Sequence, residues 1–105
     1  MYRKVTAKMI YVVDIDNTIC TDTAGNYSTA QPHYGRINKI NALYDAGHTI
    51  IYWTARGMKS GLNHTELTNS QLRAWGCKFH EIRMGKPHYD VWIDDKAIRA
   101  EDFFA

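Results

Sequence analysis

Met9-Ile10-Tyr11-Val12-Val13 runs directly into Asp14-Ile15-Asp16-Asn17-Thr18. A run of five apolar residues, mostly β-branched or aromatic, is too short for a helix, which needs about 10 to 12 residues of 3.6-period pattern, and so predicts a buried central strand. Its carboxyl end then carries two carboxylates two residues apart, on the edge where open α/β sheets bind ligands. Any fold of this chain must bury the strand and neutralise or solvate Asp14 and Asp16.

The rest of the chain supplies partners for that strand. Residues 1–8, with Arg3, Lys4 and Lys8 around Val5, read as a short edge segment or a solvated lead-in. Cys20 to His33 is rich in turn formers and has no period, which suits a mobile flap, and its Ala24-Gly25-Asn26 centre suits a small hairpin. Ile37, Ile40, Leu43 and Tyr44 recur at spacings of three and four, predicting a helix over Tyr34–Ala46 with Gly47 as its C-terminal cap. His48–Trp53 predicts a second strand ending on Thr54-Ala55-Arg56-Gly57. Met58–Asn63 reads as a loop, and His64–Trp75 as a second helix stopped by Gly76, with Leu67, Gln71, Leu72 and Trp75 on one side.

Cys77–Met84 predicts a third, more polar strand, ended by Gly85-Lys86-Pro87. Val91-Trp92-Ile93 predicts a fourth, ending in Asp94-Asp95, although Pro87–Asp90 is too short to hold a full crossover helix. In the tail from Lys96 to Ala105, Ile98, Phe103 and Phe104 are expected to pin the chain end to the core. Strands alternating with helices predict a parallel sheet with right-handed crossovers, hence an α/β fold.

At 105 residues this is one domain, 1–105, with no room for a second. The net charge of +2 comes without any Lys/Arg run, which argues against a nucleic-acid partner and suits a small anionic substrate. No apolar run is long enough to span a bilayer and no secretory leader is legible, so no membrane partner and a cytoplasmic location are expected. Cys20 and Cys77 are read as two reduced thiols.

In a parallel sheet the strand ends converge, bringing together Asp14 and Asp16, then Thr54, then Lys86, then Asp94 and Asp95. Carboxylates gathered around one point repel each other unless a cation sits among them, and hard oxygen donors favour Mg²⁺. The expected metal set is Asp14, Asp16 through its main-chain carbonyl, and one of Asp94 or Asp95. Lys86 and the Thr54 hydroxyl add donors for an anion, and the combination is that of a phosphoryl-transfer site. Asp14 is placed as nucleophile and Asp16 as acid/base, with Thr54 and Lys86 holding the phosphoryl oxygens.

With these residues in place, the chain resembles the haloacid dehalogenase-like superfamily of phosphohydrolases. Val12-Val13-Asp14-Ile15-Asp16-Asn17-Thr18 matches its first motif, Trp53-Thr54-Ala55-Arg56 its second, Gly85-Lys86-Pro87 its third and Trp92-Ile93-Asp94-Asp95 its fourth. Ile93 to Arg99, with Gly25-Asn26-Tyr27 in the flap, is similar to the small bacterial capsule-biosynthesis phosphatases. The resemblance implies a Mg²⁺-dependent phosphatase of small phosphorylated metabolites, acting through an aspartyl-phosphate. It also implies a Rossmann-like three-layer sandwich of strand order 3-2-1-4. Thr54, Ala55, Arg56, Lys86 and Asn17 would line the phosphate. Asn17 stands where many members have Gly, in a backbone geometry that Asn can adopt. No cap domain is inserted, only the flap, so the open site is expected to accept larger substrates or to be closed by a neighbouring subunit of a homo-oligomer.

Two rivals come from other classes. A phosphoacceptor signalling domain uses similar residue types, but its acidic pair comes first, whereas here the Asp-x-Asp comes first. A catalytically silent phosphate-binding domain would not need the full constellation. For single residues, Arg56 is read either as reaching the substrate or as forming a surface salt bridge. Trp53, Trp75 and Trp92 are read as core, with exposure of any of them pointing to a subunit interface.

Overall fold

The structure, a computed structural model, describes residues 7–105. The edge segment considered for residues 1–8 therefore falls almost wholly outside the described residues. Strand β1 (Ile10–Val13) leads through a flap with a single 3-10 turn at Tyr27–Thr29 into helix α1 (Tyr34–Asp45). Strand β2 (Thr49–Trp53), helix α2 (Thr65–Ala74), strand β3 (Glu81–Arg83) and a terminal turn of helix α3 (Ala100–Phe103) follow. The strands form a parallel sheet in the order β1-β2-β3, with Val12 opposite Ile51 and Tyr52 opposite Ile82. This is a small α/β fold consistent with a Rossmann-like arrangement. Among the described residues no helix is long and apolar enough to cross a membrane.

Both helices form where the spacing predicts. Ile37 and Ile40 of α1, and Thr68 and Leu72 of α2, are the buried positions. His33 caps α1, its Nδ1 accepting from the Arg36 amide, and Gly47 ends the helix at φ 97°, a left-handed conformation that glycine adopts without strain. Val13, Ile50 and Tyr52 of the sheet close with Ile37, Ile40 and Leu72 on one core. The flap is tied at its base, where the Thr21 amide donates to Gln31 O and the His33 amide to Ile19 O. The hairpin expected at its centre takes the form of a tight turn, with Ala24 and Gly25 at φ 52° and 96° and Asn26 N donating to Thr23 O.

Four expectations are corrected. Val91–Ile93 is not a strand, so among the described residues β1 lies at the edge of a three-stranded sheet and the fourth position beside it is not filled by this segment. The reason is the four-residue connection Pro87–Asp90, where a parallel return needs a crossover of a dozen residues or more. The third layer is missing for a related reason. Two successive right-handed crossovers in the same direction put α1 and α2 on one face, which leaves Ile10 70% and Val12 56% exposed on the other. The third strand spans Glu81–Arg83 rather than Cys77–Met84, because the ladder from β2 begins only where His80 N donates to Ile50 O. In the tail, Phe104 packs against the core and the Phe103 ring lies 6.3 Å from Tyr11, but Ile98 is exposed.

Candidate active site

Three chain turns meet at the carboxyl edge of the sheet. After β1 the chain folds sharply, with Thr18 N and Ile19 N both donating to Ile15 O, and this turn needs Asn17 at φ 61°. Asn is among the few side chains that enter this region readily. After β2, Thr54 is buried and its Oγ1 accepts from the Arg56 amide at 3.1 Å. After β3, the Lys86 amide donates to Thr54 O at 3.0 Å, which fixes the start of the Lys86 side chain beside the other two turns.

The result is a pair of carboxylates with different partners. Asp14 Oδ1 lies 3.5 Å from Lys86 Nζ, and Asp14 Oδ2 accepts from the Thr18 hydroxyl at 3.2 Å. Burial raises the Asp14 carboxyl above its ordinary value, opposed by Lys86, the Ile15 amide and Thr18. Lys86 is steadied from below, its Nζ 5.2 Å from the centre of the Tyr89 ring and 5.8 Å from that of Trp92. Asp16 turns the other way, and both of its oxygens accept from Arg56 at 2.9 Å.

Arg56 is neither at the surface nor free for a ligand. Its side chain is fully buried, its NH1 donates to Thr68 Oγ1 and Gln71 Oε1, and the Tyr27 ring of the flap lies over its guanidinium at 4.7 Å. Gln71 then donates to Tyr27 O at 2.6 Å. One buried arginine therefore links β1, α2 and the flap. Sequence reasoning missed Thr68, Gln71 and Tyr27 as members of this cluster. The available signal was Gln71 itself, a polar residue within the buried stripe of α2.

The structure thus gathers Asp14, Asp16, Thr54, Ala55, Arg56 and Lys86, with Asn17 at the rim. It does not bring Asp94 and Asp95 to them. Asp94 is exposed and accepts from Trp92 Nε1 and the Lys96 amide, which holds its carboxyl below its ordinary value. Among the described residues no three acidic or metal-ligating side chains form a group. The expected Mg²⁺ set does not fit this arrangement. Asp16 has given its carboxylate to Arg56 and the fourth-motif acids are elsewhere, so of the expected side chains the mouth offers the Asp14 carboxylate alone. Beside the mouth, the flap and the start of α1 enclose an open cleft of about 580 Å³ lined by Asn17, Thr18, Gln31, His33 and Arg36 among others.

No protein-family model matches the chain, and neither does any curated protein. Among solved structures it is similar to the crystal structure of an MCSG target from Vibrio cholerae, at 25% identity and a TM-score of 0.82, over 93% of this chain and 88% of that one.

Proposed function

We propose that this chain is a phosphomonoesterase of the haloacid dehalogenase type, acting through an aspartyl-phosphate on a small phosphorylated metabolite. The observation that carries the reading is Asp14 at the mouth of β1, 3.5 Å from Lys86, whose amide in turn donates to the main-chain oxygen of the buried Thr54. That is a nucleophile next to a cation, with a hydroxyl donor on the adjoining turn, a combination suited to a phosphoryl group.

In this reading an Asp14 oxygen bonds to phosphorus while the ester P–O bond breaks, and the leaving oxygen takes a proton. Water then cleaves the aspartyl-phosphate and releases inorganic phosphate. Lys86 offsets charge on the phosphoryl oxygens, and Thr54 is free to donate its hydroxyl proton because its oxygen accepts from Arg56 N. For Asp16 to carry the proton it must yield at least one of its two bonds to Arg56. Mg²⁺ is proposed as the cation, but no step is derived through it, since its expected ligands are not assembled. The likeness of the flap and tail to capsule-biosynthesis phosphatases favours a sugar, polyol or hydroxy-acid phosphate, and a cytoplasmic site of action. A fourth strand beside β1, completing the order 3-2-1-4, belongs to the same proposal, with the molecule's own Val91–Ile93 lying off the sheet.

The test is turnover of p-nitrophenyl phosphate with Mg²⁺, expected for the native chain and lost in Asp14→Asn. Equal background in both, across a panel of phosphate esters, would remove catalysis from consideration. A phosphorylated chain persisting for hours would favour the signalling reading instead.

A further inference from the structure

The outer edge of β1 and the segment after Lys86 are each incomplete in a complementary way. On one side stands an edge strand whose outer main chain has no partner among the described residues, flanked by exposed Met9, Ile10 and Val12. Unpaired edges of this kind are templates for another strand. On the other side, Val91 and Ile93 are 74% and 93% exposed, with Ile98 at 65%, and only Trp92 is turned onto the body, its ring 5.8 Å from Trp53. A β-branched, apolar, unpaired segment left in solvent marks an interaction surface, as the bare edge does.

The segment cannot readily fill the edge of its own molecule. From Lys86 to the position beyond β1 is three strand spacings, about 14 Å. A parallel strand would also have to begin about 10 Å back along the sheet, by a route passing around rather than through it. The five steps from Lys86 to Val91 reach about 17 Å fully extended, with nothing left for the detour, and Pro87 stiffens the first of them. A second copy has no such tether.

We propose that two copies of this chain associate by reciprocal strand exchange. Val91–Ile93 of each copy pairs with the outer edge of β1 of the other, and Asp94 and Asp95 are thereby delivered to the other copy's mouth, beside Asp14. Among the described residues one chain carries one bare edge and one unpaired arm, so a two-fold exchange covers both at once. A foreign strand on β1 would leave the arm uncovered. The exchange replaces the single Trp92–Trp53 contact with a ladder, fills the fourth sheet position and completes the acidic set that one chain lacks. The pairing stands independently of the phosphatase reading, and only the use made of Asp94 and Asp95 rests on it.

Light scattering behind a sizing column tests the association, and a bismaleimide cross-link between Val12→Cys and Ile93→Cys in one chain tests the geometry. The native Cys20 and Cys77 are buried and compete little for the reagent. The expected results are a particle of twice the 12.1 kDa chain mass, a cross-linked dimer on a denaturing gel, and in Ile93→Asp a monomer that keeps the native far-UV spectrum and melts cooperatively at a temperature independent of protein concentration. A native chain that is monomeric throughout would overturn the proposal. So would a cross-link that stays within one chain, or a dimer that survives Ile93→Asp without joining positions 12 and 93. An exchanged dimer without phosphatase activity would sink the functional reading and leave the exchange standing.

Discussion

The guanidinium of Arg56 grips both carboxylate oxygens of Asp16 at 2.9 Å. Arg56 is wholly buried while Asp16 keeps 21% of its side chain exposed, so the arginine is the member that cannot do without its partner. Breaking a buried pair costs about 3–5 kcal/mol, and partial exposure of Asp16 places the expected loss for Arg56→Met nearer 3. Urea denaturation measures it. Arg56→Lys should recover only part, since a single ammonium cannot serve two carboxylate oxygens, Thr68 and Gln71 together. A loss below about 1 kcal/mol for the methionine variant would mean that the cluster does not hold the flap to α2.

Lys86 and Asp14 make the opposite kind of pair. At 3.5 Å, with Asp14 38% exposed, it adds little to stability, and Lys86→Met should change the unfolding free energy by no more than about 1 kcal/mol. If the phosphatase reading holds, kcat should fall on the order of 10²–10³-fold, the usual cost of removing one charge-stabilising donor. Activity and stability would then separate cleanly at this residue. A variant that lost both together would point to a structural lysine.

Cys20 and Cys77 are thiols that the fold keeps protonated. Burial, and after it the Asp16 carboxylate, pushes the Cys20 thiol up from 9.0 to about 12, and burial takes Cys77 to about 11. Between 9.0 and these values the folded chain holds protons that the unfolded chain has released, so stability falls as pH rises above 9.0. Native protein should resist iodoacetamide near pH 9 and react fully in urea. Rapid labelling of the native chain would contradict the burial of both thiols.

Tyr52 is fully buried, and its hydroxyl finds no hydrogen-bond partner among the described residues, the Cys77 thiol being its polar neighbour. An unpaired buried hydroxyl costs about 1–3 kcal/mol. Tyr52→Phe, which keeps the ring against Phe79, should therefore leave the melting temperature unchanged or raise it. A marked drop would mean that the hydroxyl is bonded in solution.

Ala24 occupies the left-handed region at φ 52° at the tip of the flap, a conformation that costs a non-glycine residue about 1–2 kcal/mol. Ala24→Asn would place Asn-Gly at the turn, the pair best suited to positive φ at both positions. The expected outcome is slower proteolytic nicking of the flap and a gain of about 1 kcal/mol in unfolding. Faster nicking would show that the turn is not populated as described.

Local chemistry made much of this molecule legible. The periodicity of Ile37 and Ile40, the stops at Gly47 and Gly76, and the β-branched runs before Asp14 and Thr54 each act within a few residues, and the elements stand where those signals place them. Parallel pairing then follows from alternation, and it is enough to bring Asp14, Thr54 and Lys86 to one edge.

Two features were decided by packing and reach rather than by residue preference. Arg56 reads equally well as a surface residue or a ligand contact, and only the packing of α2 and the flap over the mouth turns it inward to Asp16. Asp94 and Asp95 follow a strand-like run, yet tether length rather than residue preference decides where that run can go. Pro87–Asp90 is too short for the return, so among the described residues the strand that looked central is an edge. Propensity fixes what a segment tends to become, while steric reach and the burial of charge decide what it can touch, and those are properties of the assembled chain.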